Sequence, residues 1–399
     1  MRAVRLSIRG QEAPPSPIRK LVPLAEAARA RGVKVHSLNI GQPDIETPPA
    51  MWEAVKAHPK VLAYSHSAGI PELRAGLSRY YARHDIDMTE EEILVTSGGS
   101  EAILFALASI TDPGDEVLIP EPLYANYLGF SRLLQVRAVP IPTRAENGYH
   151  LPVRAEWETR LTARTRAILF SNPGNPTGTV YESAEVEMLL SLAAEWGLFL
   201  IADEVYREFC YDGRRHQSVL TYRQAQDRII LVDSISKRWS ACGARIGCLA
   251  TKNAEVRKAS LAWAQARLSP PGMGQLMATA AVDLPPSYYE AIVSEYQTRR
   301  DAVMEELARI PGVQCQVPRG AFYVMATLPV KDSERFASWM LESFAHENET
   351  TFVAPGNGFY ATQNAGQREV QIAYVFEEER LRRAIQVLGR GLAAFPDRD

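Results

Sequence analysis

Several features of specialised proteins are scarce or missing in this sequence of 399 residues. Lysine and arginine total 44 against 47 acidic residues, so the formal net charge of −3 offers no surplus charge for binding nucleic acid or an anionic membrane. No apolar run reaches the roughly 18–20 residues that a membrane-spanning helix needs. We also find no internal repeat and no low-complexity tract. With 46% hydrophobic and 23% charged residues, the composition is that of a globular protein with a large core.

Cysteine is also scarce, and its spacing argues against a metal site. The four cysteines form no C-x-x-C pair and have no metal-ligand spacing with histidine. We therefore expect reduced thiols of a cytosolic protein, and no bound metal. The basic N-terminal stretch lacks the apolar segment of a secretory signal, so the cytoplasm is the expected location.

Short apolar runs alternate with segments of helical periodicity through much of the chain. Helical spacing is found at 71–84, 100–110 and 184–197. The candidate strands lie at 92–95, 116–120, 166–171, 198–202 and 229–233. Short apolar strands separated by helices predict an α/β fold with a mostly parallel, doubly wound sheet.

The chain changes character towards its C-terminus. A long helical pattern at 288–310 is followed by the strand candidates AFYVMATL and EVQIAYV and by further helices. We therefore place a large domain at 46–285 and a smaller α+β domain at 286–399, joined by an N-terminal arm of residues 1–45. The stretch EAPPSP, at 12–17, is expected to be extended within that arm.

Polar side chains follow the ends of the predicted strands, where open α/β sheets bind ligands. SGGS, at 97–100, opens a helix whose backbone N–H groups and Ser100 suit an anion such as phosphate. Asn175 and Asp203 follow two further strands, and the segment SISKRWSACGARIG brings Lys237 and Arg245 after another.

Each of these features also has an ordinary structural explanation when it is taken alone. SGGS can be a glycine turn with Ser100 as a helix cap, and Asn175 can belong to a turn. Asp203 can be a helix cap or salt-bridge partner, Arg245 an ion-pair residue and Lys237 a solvated surface residue. The apolar strand that leads into Lys237 argues against its full exposure.

Taken together, a phosphate cradle, an amine and a carboxylate suit pyridoxal phosphate. The lysine amine would form a Schiff base with the cofactor aldehyde. The carboxylate would keep the pyridinium nitrogen charged, so that the ring accepts electrons from the substrate. An arginine such as Arg245 has the fork geometry that fits a phosphate.

At these motifs the chain resembles the class I aminotransferases of the aspartate aminotransferase type, which are fold type I pyridoxal-phosphate enzymes. The resemblance covers nearly the whole chain, and the ordered set of motifs is far more specific than any one of them. The motifs are NIGQPDIETP, YSHSAGIPELR, VTSGGSEAI, PEPLYANY, SNPGNPTG, ADEVYREF, SISKRWSACGARIG and RGAFY.

The resemblance implies catalytic roles for particular residues. Lys237 would be the Schiff-base lysine and proton shuttle, and Asp203 would pair with the pyridine nitrogen. Asn175 and Tyr206 would contact the ring oxygen, and Tyr124 would stack on the ring.

The resemblance also implies how the phosphate, the substrate and a second subunit are bound. Gly41 would lie beside the substrate carboxylate. Tyr64 would reach the phosphate of a neighbouring subunit, which implies a homodimer with shared active sites. The residues that would hold the phosphate within one subunit are Gly99, Ser100, Ser234 and Arg245.

One position departs from the family pattern. The family has an arginine that grips the substrate α-carboxylate where this chain has Gln371, in REVQIAYV. Losing a charged hydrogen bond typically costs about 1.5–3 kcal/mol. Arg368, three residues earlier in the strand, would point to the opposite face. Another arginine, such as Arg267 or Arg319, could compensate, or the substrate or reaction has diverged.

Four functions therefore remain open. The first is an aminotransferase that acts on an amino acid and a 2-oxo acid. The second is a pyridoxal-phosphate enzyme of specialised metabolism that catalyses β- or γ-elimination, replacement or carbon–carbon bond formation. The third is a serine acyl-transferase or β-lactamase-like hydrolase, because SISK fits S-x-x-K, but the companion motifs S-D-N and K-T-G are absent. A non-catalytic binding protein is disfavoured by the retained Lys237, Asp203 and Arg245.

Overall fold

The architecture is that of a computed structural model, which describes residues 4–11, 13, 16–17, 19–57 and 60–398. Within these residues the strands are β1 Lys34–Ser37, β2 Ile93–Thr96, β3 Glu116–Glu121, β4 Arg137–Pro142, β5 Thr165–Ser171, β6 Phe199–Asp203, β7 Ile229–Ser234, β8 Gly247–Ala250, β9 Gln314–Cys315, β10 Tyr323–Thr327, β11 Glu349–Phe352, β12 Ala354–Pro355 and β13 Glu369–Ala373. The α-helices are α1 Ile8–Gln11, α2 Val22–Ala30, α3 Pro49–Lys56, α4 Pro71–Ala82, α5 Gly99–Ile110, α6 Asn126–Leu134, α7 Arg154–Glu158, α8 Ser183–Trp196, α9 Ile235–Arg238, α10 Ala254–Arg267, α11 Gly272–Ala281, α12 Pro286–Ala308, α13 Ser333–Glu342 and α14 Glu378–Ala394.

The largest sheet has seven strands in the order β2-β8-β7-β6-β5-β3-β4. Its strands run parallel except β8, which is antiparallel to both of its neighbours. Since β2 and β7 flank β8 on opposite sides, they run in the same direction as the rest. The mostly parallel sheet that the alternating apolar runs predict is therefore confirmed.

Both faces of this sheet are covered by helices. On β6 and β7, Leu200 and Leu231 pack in one apolar cluster with side chains from α4, α8 and α11. Their neighbours Ile201 and Ile230 pack in another cluster with side chains from α5 and α10. Because side chains alternate between the two faces, a strand buried on both sides reads as a continuous apolar run, as these two do.

The C-terminal part of the chain forms a second sheet of four antiparallel strands, in the order β12-β13-β10-β9. A two-stranded parallel sheet joins β1 to β11. One apolar cluster draws on Leu21 and Leu38 from the N-terminal segment and on many residues beyond 292. Tyr206, Phe209 and Tyr211 also belong to this cluster, so it connects the two predicted parts, and the division into 46–285 and a domain of 1–45 with 286–399 stays a prediction.

The observed element ends differ from the predicted ones by a few residues. The helix predicted at 71–84 ends at Ala82, and the one predicted at 288–310 begins at Pro286 and ends at Ala308. Proline at the first helical position has no N–H to leave unpaired, which explains the earlier start. Within EAPPSP, residues 12, 14 and 15 lie outside the described residues. Among the described helices, none has the length and hydropathy required to cross a membrane.

Candidate active site

A cavity of about 520 Å³ lies at the carboxyl edge of the seven-stranded sheet. Parallel strands end at the same edge, so residues distant in sequence meet there. Of the residues to which the family resemblance gives a role, all but Tyr64 line it, and Tyr64 is 80% exposed. The candidate residues that line it are Gly41, Gly99, Ser100, Tyr124, Asn175, Asp203, Tyr206, Ser234, Lys237, Arg245 and Gln371.

One end of the cavity has the form of an anion cradle. It is built from the N-terminus of α5, Ser234 and Arg245. Gly98 has φ +79°, and a Cβ at this position would lie 2.5 Å from Nη2 of Arg245. Arg245 donates to the carbonyls of Ser97 (3.5 Å) and Cys242 (3.2 Å). Among the described residues it makes no ion pair, so its charge stays available to a ligand.

Lys237 projects into the cavity from α9, a single helical turn that follows β7 directly. Its Nζ donates to the carbonyl oxygen of Gly41 at 2.7 Å. Burial lowers the pKa of Lys237; Cys242 and Asp203 oppose this shift, whereas Arg245 adds to it. The side chain is therefore not a solvated surface lysine, and its amine is more readily neutral, as a nucleophile requires.

Asp203 presents a buried carboxylate to the same cavity from the end of β6. Its Oδ2 accepts a hydrogen bond from the Tyr127 hydroxyl (2.7 Å), and its Oδ1 accepts one from the Val205 N–H (3.3 Å). Burial raises the pKa of Asp203 to about 6, although the Tyr127 and Val205 hydrogen bonds lower it. No described cation forms an ion pair with it, so a cationic ligand group would relieve an unfavourable burial.

Tyrosine hydroxyls border the cavity near Asn175. The hydroxyls of Tyr206 and Tyr323 lie 2.8 Å apart, and Asn175 Nδ2 donates to the Tyr206 hydroxyl at 3.4 Å. Burial raises the pKa of both tyrosines well above 10, so their hydroxyls stay protonated. The Tyr124 hydroxyl accepts from Asn126 Nδ2 at 2.7 Å, and burial raises the pKa of Tyr124 to about 12.

Gln371 is only 2% exposed and reaches the cavity from β13. Its Nε2 donates to Oδ1 of Asn175 at 2.9 Å. None of the arginines considered from the sequence joins it among the cavity-lining residues. Arg267 faces Glu101 at 3.3 Å, Arg319 pairs with Asp212, and Arg368 precedes β13 on the exposed surface.

Among the residues that the sequence analysis does not name as candidates are Tyr127, which contacts Asp203, and three residues that line the cavity. Tyr127, which holds Asp203, follows Tyr124 by three residues at the start of α6, a spacing that does carry a signal. Tyr323 is the last residue of the motif RGAFY. Ser236 lies two residues after Ser234, and the hydroxyls of these two serines are 2.9 Å apart. Arg19 has no such signal, because only the folded chain brings its segment to the cavity.

The described residues contain no metal site. No group of three or more histidine, cysteine, aspartate or glutamate side chains within them is placed to hold an ion. The four cysteines are free thiols.

Comparison with known proteins decides the family. Residues 33–388 match the sequence profile described as aminotransferase class I and II. The chain belongs to this aminotransferase family. It is 32% identical to the aspartate/prephenate aminotransferase of Thermus thermophilus, with 96% of this chain and 99% of the relative covered. It is 33% identical to aromatic-amino-acid aminotransferase 2 of Thermococcus litoralis, with 95% and 96% covered.

A solved structure gives the same result for the fold of this aminotransferase. The alanine aminotransferase of Pyrococcus furiosus superimposes with a TM-score of 0.89 at 29% identity, covering 98% of this chain and all of that one. The resemblance, the fold class and the pyridoxal-phosphate-dependent transferase class inferred from the sequence are thus confirmed. The relatives carry the names of different amino acids, so their names do not fix the substrate of this chain.

Proposed function

We propose that this chain holds pyridoxal phosphate in the cavity and moves an amino group between an amino acid and a 2-oxo acid. The observation that carries the proposal is a set of three ionisable groups in one cavity that form no ion pair among the described residues. They are the unpaired Arg245 at the anion cradle, the buried amine of Lys237 and the buried carboxylate of Asp203. An anion, an aldehyde and a protonated ring nitrogen on one small molecule would satisfy all three.

The donor set fits each part of that cofactor. Arg245, Ser100, Ser234 and the N–H groups at the start of α5, including that of Gly99, would hold the phosphate. When bound, pyridoxal phosphate supplies an aldehyde for amino groups and a ring that accepts the electrons released at the substrate Cα.

Lys237 has two tasks in this proposal. Its Nζ would hold the cofactor covalently, which its lowered pKa favours because only the neutral amine attacks a carbonyl. The same Nζ would then take the proton from the substrate Cα and return it during transfer. The hydrogen bond to the Gly41 carbonyl fixes where this amine lies before the cofactor binds.

Asp203, Tyr206 and Asn175 would tune the bound ring. Asp203 would keep the ring nitrogen protonated, and the Tyr127 hydroxyl orients its carboxylate. Asn175 and Tyr206 are placed to donate to the ring oxygen, with Tyr323 holding the Tyr206 hydroxyl at 2.8 Å. Tyr124 would stack on the ring, with its hydroxyl held by the neighbouring amide at 2.7 Å.

We also propose a homodimer in which Tyr64 reaches the phosphate of the partner subunit. Val61, Leu62 and Tyr64 fall within four residues and are 75%, 58% and 80% exposed. Consecutive exposed apolar side chains are typical of a protein interface. Burial of this stretch against a second copy would also explain why the structure leaves Tyr64 outside its own cavity.

A second function is supported by one observation, the neutral Gln371 in the cavity. A site without the family's arginine suits a pyridoxal-phosphate enzyme that eliminates, replaces or forms a carbon–carbon bond. The two functions differ in the fate of the substrate nitrogen. Amino transfer moves it to the carbon skeleton of the 2-oxo acid, elimination releases it as ammonia, and replacement or carbon–carbon bond formation leaves it on the skeleton of the donor.

An isotope experiment therefore tests the proposal. The purified protein is supplied with pyridoxal phosphate, a panel of ¹⁵N-labelled amino acids and unlabelled 2-oxo acids, and the products are read by mass spectrometry. Label in the amino acid derived from the 2-oxo acid supports amino transfer. Label that appears only in ammonia, or only in a new product built on the donor skeleton, supports the second function and contradicts the first.

A further inference from the structure

We propose that the site selects amino compounds with an uncharged hydrogen-bonding group on the reacting carbon and an anionic group further along the molecule. The uncharged group would face Gln371 and Asn175, and the anion would pair with Arg19. This inference rests on the proposed amino transfer and names its substrate class. A simple representative is an amino acid with an α-carboxamide and a side-chain carboxylate.

The amide pair is the first observation. Gln371 is 2% exposed and is held in β13 between Ala354 of β12 and Met325 of β10. Its Nε2 donates to Asn175 Oδ1 at 2.9 Å, and Asn175 Nδ2 donates to Tyr206 at 3.4 Å. A carboxylate at this wall would meet two neutral amides, and burying a charge without a partner is costly. A carboxamide both donates and accepts, as these amides require.

The distribution of cations is the second observation. Among the described residues that line the cavity, the lysines and arginines are Arg19, Lys237 and Arg245. Lys237 and Arg245 serve the cofactor in the proposed function. Arg19 forms no ion pair with a described carboxylate, so its charge is available for a substrate anion.

Arg19 lies in a different part of the cavity from the amide pair. The residues that flank it, Pro17 and Lys20, line a neighbouring cavity together with Ala125 and Asn126, which directly follow Tyr124. The amide pair instead adjoins Tyr206, whose ring centroid is 6.0 Å from Lys237 Nζ. A substrate whose amine is next to Lys237 can therefore present different groups to the two places.

The segment that carries Arg19 is held on both sides. Before it, Pro17 packs so closely on Gly358 that a Cβ on this glycine would lie 1.9 Å from the proline Cβ. After it, Lys20 forms an ion pair with Glu334, and the Arg19 carbonyl accepts from the Val22 N–H at 3.0 Å. The backbone at Arg19 is therefore held by fixed points in the fold, and its exposed side chain lines the cavity.

Two isomeric ligands test which group of the substrate lies against the amide pair and which lies against Arg19. L-isoglutamine has an α-carboxamide and a side-chain carboxylate, whereas L-glutamine has the same two groups exchanged. Binding of each to the cofactor-loaded protein is measured by calorimetry, and ¹⁵N transfer gives kcat/KM separately. We expect isoglutamine to bind at least about tenfold more tightly, the size of one charged hydrogen bond.

Substitution of Arg19 assigns the preference to a residue. Arg19→Ala should weaken isoglutamine binding roughly 10- to 100-fold and leave glutamine within about twofold, while Arg19→Lys should restore part of the loss. The control is Arg29→Ala, which removes an arginine that bonds Ser37 at 2.8 Å outside the cavity. This control should leave the affinity for both ligands unchanged.

The proposal is overturned if glutamine binds as tightly as isoglutamine, if neither binds, or if Arg19→Ala weakens both equally. Calorimetry reports binding whether or not nitrogen is transferred. If the protein prefers isoglutamine but transfers no ¹⁵N, the proposed function is wrong and the substrate class stands. If it transfers ¹⁵N but does not prefer isoglutamine, the substrate class is wrong and the proposed function stands.

Discussion

The Tyr127 hydroxyl donates a hydrogen bond of 2.7 Å to Oδ2 of Asp203. This contact joins the start of α6 to the end of β6 and fixes a carboxylate that no described cation neutralises. Burial raises the pKa of Asp203 to about 6. The negative charge that Asp203 carries at neutral pH therefore destabilises the folded protein when the cofactor is absent.

Replacing Asp203 should therefore improve stability while it harms function. Between pH 3.8 and about 6 the folded state keeps a proton on Asp203 that the unfolded chain has released, because of the raised pKa. Stability is consequently lost as pH rises through this window. At roughly 1.4 kcal/mol per pKa unit, cofactor-free Asp203→Asn should be more stable than wild type by up to about 3 kcal/mol at pH 7.5.

Urea unfolding of both cofactor-free proteins at pH 4.5 and pH 7.5 checks this, and the gap should be larger at pH 7.5. The same variant should bind pyridoxal phosphate more weakly and lose most amino transfer. A variant with wild-type turnover would show that the ring nitrogen is not held by Asp203.

Tyr127→Phe should move the acid limb of the pH–rate profile upward. The Tyr127 hydrogen bond lowers the pKa of Asp203, so its removal should raise that pKa and require a higher pH for the carboxylate to ionise. Tyr296→Phe is the matched control, because the buried Tyr296 hydroxyl has no hydrogen-bond partner among the described residues. A profile that shifts equally in both variants would contradict a positioning role for Tyr127.

The shared-site dimer predicts complementation between two inactive variants. In a hybrid of Lys237→Ala and Tyr64→Ala subunits, one site would carry both defects and the other neither. A one-to-one mixture should regain about a quarter of wild-type activity, since half of the dimers are hybrids with one intact site. If native mass spectrometry shows subunit exchange but activity stays absent, Tyr64 does not serve the partner subunit.

Gln371→Arg should tighten binding of ordinary amino acids that carry an α-carboxylate. One recovered bidentate contact is worth roughly 2–3 kcal/mol, which is about 30- to 150-fold in affinity. If the substrate class proposed above is right, the same change should weaken the binding of isoglutamine. Gln371→Met, which keeps the volume and removes the amide, is the control that should weaken both. No effect of either substitution would show that Gln371 does not face the substrate.

The candidate residues that follow strands could be predicted from the sequence, because the apolar run of a buried strand and the polar residues after it are local patterns. A buried strand such as Ile229–Ser234 is a continuous apolar run, and the polar residues after it must lie at the carboxyl edge of a parallel sheet. The family motifs added Asn175 and Tyr206 to the same edge. Helix ends were predicted less accurately, since the helix predicted at 71–84 spans Pro71–Ala82.

Arg19 could not be predicted in the same way. Arg19 reaches the cavity through the contact of Pro17 with Gly358 and the ion pair of Lys20 with Glu334, which join segments more than 300 residues apart. No periodicity in the sequence encodes such pairs. The domain limits and the cytoplasmic location stay predictions.

The central claim is that Lys237 holds pyridoxal phosphate covalently, and borohydride reduction tests it most directly. Reduction of the cofactor-loaded protein converts a labile carbon–nitrogen bond into a stable one, and peptide mass spectrometry then locates the modified lysine. We predict the cofactor on the peptide that contains Lys237, and its loss in Lys237→Ala but not in Lys258→Ala, which changes a lysine of α10 outside the cavity. A cofactor found on another lysine of the wild-type protein, or on none, would contradict the account.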